Sequence, residues 1–492
     1  MLVPEFARTF LLCVTCSLGC VTSCGGRASD EGRGAAGAGA AAACANCVCG
    51  NGVVEADEQC DDGNAVPGHG CSNECNWEPV ALACGGGDAC ALGANGVLKC
   101  WGPNDYGELG LGDTRNRGGR KGDMGGALPA VDLGSGVIAR QLSVDANVCA
   151  ILNDGALKCW GDNFYGRLGL GDEQARGDEP GEMGDALPRV DLGSAAVVLN
   201  VAAGATTCAV LASGDLKCWG LNASGELGRG DRENRGGKPG EMGDQLPAID
   251  LGRGARVSSV VVGNWHVCAL LQSGQVKCWG MNDDGELGQG DTRQRGDDPG
   301  ELGDSLPPID LGTGRLATAI ASAAFRTCAL LDGGEVKCWG YDGDGGLGAG
   351  LVGSRGDQPG EMGDALPTIN LGAGRRVVQL AGGNEFMCAR FDTGAVKCWG
   401  LNSNGQLGLG DKVDRGARSQ MGDNLPEVDL GTGRRARSIC AGRDNACALL
   451  DDGRVKCWGL GVAGSLGLGD GETRGDEPGE MGDNLPAVDL RF

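Results

Sequence analysis

Seven times along this chain two cysteines stand ten residues apart with a glycine between them: Cys90/Cys100, Cys149/Cys159, Cys208/Cys218, Cys268/Cys278, Cys328/Cys338, Cys388/Cys398 and Cys447/Cys457. In "CALLDDGRVKC" (Cys447 to Cys457) the midpoint is Asp452. Strands folded about it put Cys447 opposite Cys457 and leave a three-residue loop, Asp451-Asp452-Gly453. Such a loop needs φ > 0 at its last residue, which glycine tolerates. The same slot holds Gly96, Gly155, Gly214, Gly274, Gly334 and Gly394 in the sister units. Counting outward, hydrogen-bonded and open pairs alternate, and the cysteines fall on an open pair, whose short Cα separation suits a disulfide. All seven pairs are therefore expected to be hairpin staples, each worth roughly 2–3 kcal/mol of restriction on the unfolded chain. Zinc thiolates would want CxxC-like knuckles and clustered ligands instead, so no metal site is expected.

The tetrad Lys-Cys-Trp-Gly begins at Lys99, Lys158, Lys217, Lys277, Lys337, Lys397 and Lys456, in steps of 59, 59, 60, 60, 60 and 59 residues. A long fixed period means a solenoid or a propeller. Each unit adds an apolar run before the first cysteine and another after the Trp-Gly. This gives four strands: a ("RVSSVVVG"), b ("HVCALL"), c ("QVKCWG") and d ("LPAIDLG"). The expected fold is all-β, a seven-bladed propeller of four-stranded antiparallel blades, which removes exposed edges by radial repetition. Strand a ends in small residues, "AAG", "AGG" or "CAG", and is placed innermost. Trp101, Trp160, Trp219, Trp279, Trp339, Trp399 and Trp458 share one position, expected to pack between blades.

The stretch "AGRDNACALLDDGRVKCWGLGVAGSLGLGD" resembles the RCC1 (regulator of chromosome condensation) repeat: "AG" ahead of strand b, then "AL", "DG", "V-x-x-WG" and "LG-x-GD". The resemblance covers 79–492 and implies a seven-bladed propeller. Two departures stand out. The paired cysteines are extra, and each unit carries a "RGDEPGEMGD"-like insert.

The 26 cysteines indicate an oxidising compartment. The N-terminus "MLVPEFARTFLLCVTCSLGCVTSC" reads as an export signal whose apolar run is too short for a comfortable membrane span. "VTSC", ending at Cys24, resembles the lipobox of bacterial lipoproteins and implies lipidation there; "SLGC", ending at Cys20, is a poorer match. Beyond Cys24, 22 cysteines remain: the fourteen of the staples, six between Cys44 and Cys75, then Cys84 and Cys440. The expected divisions are a signal peptide (1–23), a Gly/Ala-rich tether (24–46), a cysteine-rich module (47–78) and the propeller (79–492). The module resembles a short segment near the N-termini of exported bacterial proteins through "CGNG", "EQCDDGN" and "GCSNEC", with His69 where an Asp would be expected. Too small to bury a core, it must be held by disulfides, and "CDDGN" reads as a tight turn ahead of a calcium loop. Cys84 and Cys440 end strand a in the first and last units, neighbours in a closed ring. A Cys84–Cys440 bond across the seam is expected; the alternative pairs Cys84 with the module.

The net charge of −24 argues against nucleic acid, whose phosphates require clustered Lys and Arg. With two histidines, His69 and His266, His-based catalysis is not expected. Strands b and c join at the stapled end, so the a–b and c–d loops share the opposite face. The aromatics that break the repeat fall there. Tyr106, Phe164, Tyr165 and Tyr341 follow the Trp-Gly, whereas Trp265, Phe325 and Phe386 precede the b-strand cysteine. These seven are the candidate binding residues, as interface anchors are commonly aromatic. The Arg-Gly-Asp tripeptides starting at Arg176, Arg295, Arg355 and Arg474 read as loop-internal ion pairs ahead of adhesion motifs. The function expected is that of an exported, lipid-anchored scaffold at the outer membrane or cell surface, or secreted. It would be a monomer binding an unknown protein or glycan, touching membrane only through its lipid, without cofactor or catalytic residues. A secreted propeller hydrolase acting on glycans is the alternative, for which no carboxylate pair is singled out from the repeats. Guanine nucleotide exchange, which the resemblance suggests, sits in the wrong compartment.

Overall fold

The computed structural model describes residues 52, 54, 58–61, 63, 70–72, 75–343, 345–350 and 353–492. The expected signal peptide and tether, with Cys24, as well as Cys47, Cys49 and His69, lie outside these residues.

Each repeat folds as an antiparallel sheet with its strands in chain order. Blade 1 holds β1 (Pro79–Gly85), β2 (Asp88–Gly93) and β3 (Leu98–Trp101); blade 2 holds β4 (Ala139–Val144), β5 (Asn147–Leu152) and β6 (Leu157–Gly161). Blade 3 follows with β7 (Val198–Ala202), β8 (Thr206–Leu211) and β9 (Leu216–Gly220), and blade 4 with β10 (Val257–Val262), β11 (His266–Leu271) and β12 (Val276–Gly280). Blade 5 comprises β13 (Ala317–Ala323), β14 (Arg326–Leu331) and β15 (Val336–Gly340). Blade 6 comprises β16 (Val377–Gly382), β17 (Phe386–Phe391) and β18 (Val396–Gly400), and blade 7 β19 (Ala436–Ala441), β20 (Asn445–Leu450) and β21 (Val455–Gly459). The first strand of every blade touches the first strand of the next, and β1 also touches β19, which closes the ring around an axis of small residues.

The hairpins have the expected register. Cys268 stands opposite Cys278, and the loop closes through the Leu271 amide donating to the Gln275 carbonyl at 2.8 Å, with Gly274 at φ +82°. All seven staples form. Cys90 bonds to Cys100, Cys149 to Cys159, Cys208 to Cys218 and Cys268 to Cys278. Cys328 bonds to Cys338, Cys388 to Cys398 and Cys447 to Cys457. Their Cα–Cα separations are 4.1–4.2 Å, as an open antiparallel pair allows.

The fourth strand does not form: each sheet has three strands. In "LPAIDLG" (Leu246 to Gly252) Pro247 has no amide to give to a ladder. One backbone bond fastens the segment to the sheet of its own blade, from the Ile249 amide to the Leu216 carbonyl at 2.8 Å. The following carbonyls turn to the neighbouring blade. Asp250 accepts from the Gly303 amide at 3.0 Å and Leu251 from the Lys277 ammonium at 2.7 Å. Lys277 also donates to the Gly303 carbonyl at 2.9 Å. The tetrad lysine is thus a clasp between one blade's last segment and the next blade's insert, a role the sequence reading missed.

The core is divided among the blade interfaces. Each staple packs against the tryptophan of the following blade. Cys90 and Cys100 meet Trp160, Cys149 and Cys159 meet Trp219, and Cys208 and Cys218 meet Trp279. Cys328 and Cys338 meet Trp399, and across the seam Cys447 and Cys457 meet Trp101. All seven tryptophans are fully buried, and Trp279 Nε1 donates to the Glu226 carbonyl at 2.8 Å. Cys84 bonds to Cys440 with an S–S distance of 2.02 Å, which settles the seam. Lys99 repeats the clasp there, donating to the Gly125 and Leu490 carbonyls at 2.9 and 2.8 Å. In the module Cys60 pairs with Cys71, and Asp61 Oδ1 accepts from the amides of Gly52 and Gly63 at 3.0 and 2.8 Å, a carboxylate committed to holding a turn.

Candidate functional site

At the end opposite the turns of the stapled hairpins the axis opens into a cavity of about 800 Å³, lined by the ends of the innermost strands and the loops that follow them. The a–b and c–d loops meet on this face, since the residue after Trp-Gly donates its amide to the a–b loop. Met281 donates to the Trp265 carbonyl at 2.8 Å and Tyr341 to that of Phe325 at 3.0 Å. Among the described cysteines, only Cys84 reaches the cavity wall. The staple cysteines, Cys100, Cys159 and Cys338 among them, are buried between blades and line no part of it, so they belong to the scaffold and not to the site.

Beneath the rim lies a ring of seven equivalent residues, each the first of its second strand: Asp88, Asn147, Thr206, His266, Arg326, Phe386 and Asn445. All are at most 2% exposed, although six of the seven are polar. Most find partners in the loops or in the adjacent blade. Thr206 donates to the Leu221 carbonyl at 2.7 Å, His266 Nε2 meets Thr327 Oγ1 at 2.9 Å, and Arg326 donates to the carbonyls of Tyr341 and Glu385 at 3.1 and 3.0 Å. The ring accounts for one failed expectation. Phe386 is not a surface aromatic but is fully buried among Trp458, Cys388 and Cys398, because it occupies this inward slot and not the loop before it. The sequence carries no separate mark of this slot, since the residues on either side of it also change from blade to blade.

The other six candidates fall into two groups on the open face. Tyr106 and Phe164, on blades 1 and 2, meet edge to face at 5.4 Å, and Tyr165 stands beside Phe164 in a 3₁₀ turn at φ +67°. On blades 4 and 5, Trp265, Phe325 and Tyr341 form an edge-to-face chain with steps of 6.5 Å. Tyr106, Phe164, Tyr165 and Trp265 are 43–52% exposed, while Phe325 and Tyr341 are half-buried. Tyr106 and Phe325 also line the cavity.

Carboxylates gather on the blade 1 and 2 side of the mouth, where Asp88, Asp105, Glu108, Asp145 and Asp162 all line the cavity. Asp162 is neutralised by Arg167 at 2.9 Å, and Glu108 accepts from the Tyr106 amide at 2.9 Å. Burial pushes the carboxyl of Asp88 well above the usual range, and the charges of Glu108, Asp145 and Asp105 push it further. Burial likewise raises Asp145, with Arg167 opposing. Glu226 and Glu286, in the equivalent loops of blades 3 and 4, are pushed up to about 7 by burial. Each still accepts an amide of its own loop, from Ser224 at 2.8 Å and Asp284 at 2.9 Å, which marks them as loop supports. The insert arginines are similarly committed. Six of them pair with the aspartate four residues upstream, as Arg176 does with Asp172 at 2.7 Å, and Arg355 reaches Glu361 at 3.7 Å.

His266 provides a measurable consequence of the ring. Burial lowers its pKa from 6.5 to about 4, so the imidazole is neutral in the fold. Between these values the unfolded chain binds the extra proton. The contribution of His266 is therefore fully present above about pH 6.5 and is lost as pH falls towards 4. His266→Asn, which installs the residue of blades 2 and 7, is expected to remove that loss. The melting temperature of the variant should rise relative to wild type as pH drops from 7 to 4.5; a constant offset would mean that the imidazole does not titrate in this window.

Comparison with known proteins agrees with the geometry. A family model described as "Regulator of chromosome condensation (RCC1) repeat" matches residues 144–167, 257–286, 377–406 and 436–464, and a second of the same description matches 213–270 and 393–449. The chain is 29% identical to the ultraviolet-B receptor UVR8 of Arabidopsis thaliana over 344 residues, 68% of each chain. The structure of human WBSCR16 superposes with a TM-score of 0.60 at 19% identity, covering 80% of this chain and 93% of that one. Prp20p of Saccharomyces cerevisiae, whose structure is described together with its binding to Gsp1p and histones, superposes with a TM-score of 0.55 at 18% identity, covering 79% and 85%. The chain thus carries RCC1 repeats, and its seven units fold as the seven stapled blades of a β-propeller.

Proposed function

We propose that this chain is an exported propeller, tethered through a lipid on Cys24, that binds a protein partner with the face made by its a–b and c–d loops. The observation that carries the reading is the chain of Trp265, Phe325 and Tyr341 beside the axial mouth. Trp265 is 48% exposed, whereas the seven tetrad tryptophans are fully buried, and large aromatics presented on rigid loops are the anchors that interfaces use. Staples in every blade suit a scaffold that keeps its loops in place outside the cell. That Prp20p is described with protein partners supports partner binding as a use for this fold; it does not name the partner here.

The test compares wild type with a Trp265→Ala/Phe325→Ala/Tyr341→Ala variant as bait for envelope and cell extracts. A partner is expected to be retained by wild type and lost by the variant at unchanged melting temperature. Equal retention would overturn the binding face. Cys24→Ala is expected to move the protein from the membrane to the soluble fraction.

A further inference from the structure

We propose that the acidic side of the axial mouth receives an arginine side chain of the partner, with Asp88 as its main carboxylate. The inference rests on the binding reading above and specifies what the partner brings. Asp88 is 2% exposed and lines the cavity, and Oδ1 has no hydrogen-bond partner. At the same slot Thr206, His266 and Arg326 are satisfied by their surroundings; Asn147 and Asn445 also leave an Oδ1 without a partner, but theirs is a neutral amide oxygen, whereas Asp88 offers a carboxylate. A buried, unpartnered carboxylate is costly, and the groups facing it make the cost larger: Glu108, Asp145 and Asp105 carry the same charge. Of the nearby cations, Arg167 is already paired with Asp162, and Arg443, on the blade 7 side of the mouth, lies beside Asp444 at 3.7 Å.

The spread of the acids selects the shape of the cation. Among the described residues, no three of these carboxylates bring their oxygens within 4.8 Å of one another, so a single bare ion could not gather them. A guanidinium carries five donors in a plane and reaches several acceptors at once. Tyr106, 43% exposed and lining the same cavity, offers a ring face for it to cover. With the mouth empty, Asp88 is held towards its protonated form; an arriving guanidinium favours the carboxylate, and the proton leaves to solvent.

The probe is the tripeptide acetyl-Gly-Arg-Gly-amide, titrated into the full chain by calorimetry in two buffers of different ionisation enthalpy. Saturable binding with proton release is expected, weaker by about tenfold or more for the citrulline peptide and for Asp88→Asn. Asn already fills this slot in blades 2 and 7, and Asp105→Asn, at an exposed position, gives a second variant that puts no folding at risk and should weaken binding several-fold. Equal binding of the citrulline peptide, or no effect of either variant, would overturn the proposal. A lysine peptide binding as tightly would overturn the choice of arginine, and calcium chloride displacing the peptide would point to a metal site instead. The aromatic triple variant should keep the tripeptide while losing the macromolecular partner. Loss of the inference alone therefore leaves the binding face standing, and the reverse also holds.

Discussion

Replacing Cys84 and Cys440 together by alanine is expected to lower the unfolding free energy by about 5 kcal/mol, the largest effect among the described disulfides. The bond joins residues 356 apart, whereas each staple spans 10. The restriction a cross-link places on the unfolded chain grows with the logarithm of the loop, so the seam outweighs a staple about twofold. The ring would still close without it. β1 packs on β19, Lys99 keeps its clasp, and the Gly125 amide still donates to the Asp489 carbonyl at 2.8 Å. Both cysteines must be changed, because the sulfurs of Cys84, Cys440 and Cys447 lie within 4.8 Å of one another and a lone thiol would invite exchange with the Cys447–Cys457 staple. Guanidinium denaturation with the staples intact measures the effect. A loss below about 1 kcal/mol would mean that the non-covalent seam already confines the unfolded ends.

Trp279→Ala should cost about 3–5 kcal/mol. The indole is fully buried against the Cys208–Cys218 staple, Leu227, Ile249 and Leu306, and its Nε1 bonds the Glu226 carbonyl. Removing it opens a cavity between blades 3 and 4 that two covalently stapled hairpins cannot easily collapse to fill, and it strands a buried carbonyl. Trp265→Ala is the control: half exposed on the loop face, it should shift stability by no more than about 0.5 kcal/mol. Thermal denaturation of both variants tests the contrast. Similar losses would show that the tryptophan ring does not carry the blade interfaces.

Much of the scaffold was legible because its determinants are local and repeated. The ten-residue spacing around a glycine specifies a hairpin register that no distant contact can alter. Strand d misled because an apolar run with a β-branched residue resembles a strand, while Pro247 and the competing donors Lys277 and Gly303 divert its hydrogen bonds to another blade. Phe386 misled for a related reason: one residue separates the loop, where Phe325 is half-buried, from the inward slot, where Phe386 is covered.

What the chain's letters determined alone was the blade, since period, glycine slot and cysteine pairing all act within some ten to sixty neighbouring residues. The tertiary structure decided everything that depends on bringing blades together. It chose Cys440 over the module as the partner of Cys84, turned the tetrad lysine into a clasp, and assembled Asp88, Asp105, Glu108, Asp145 and Asp162 around one opening. Those acids come from different strands and loops of two blades, and their mutual repulsion and burial exist only once the ring has closed around them.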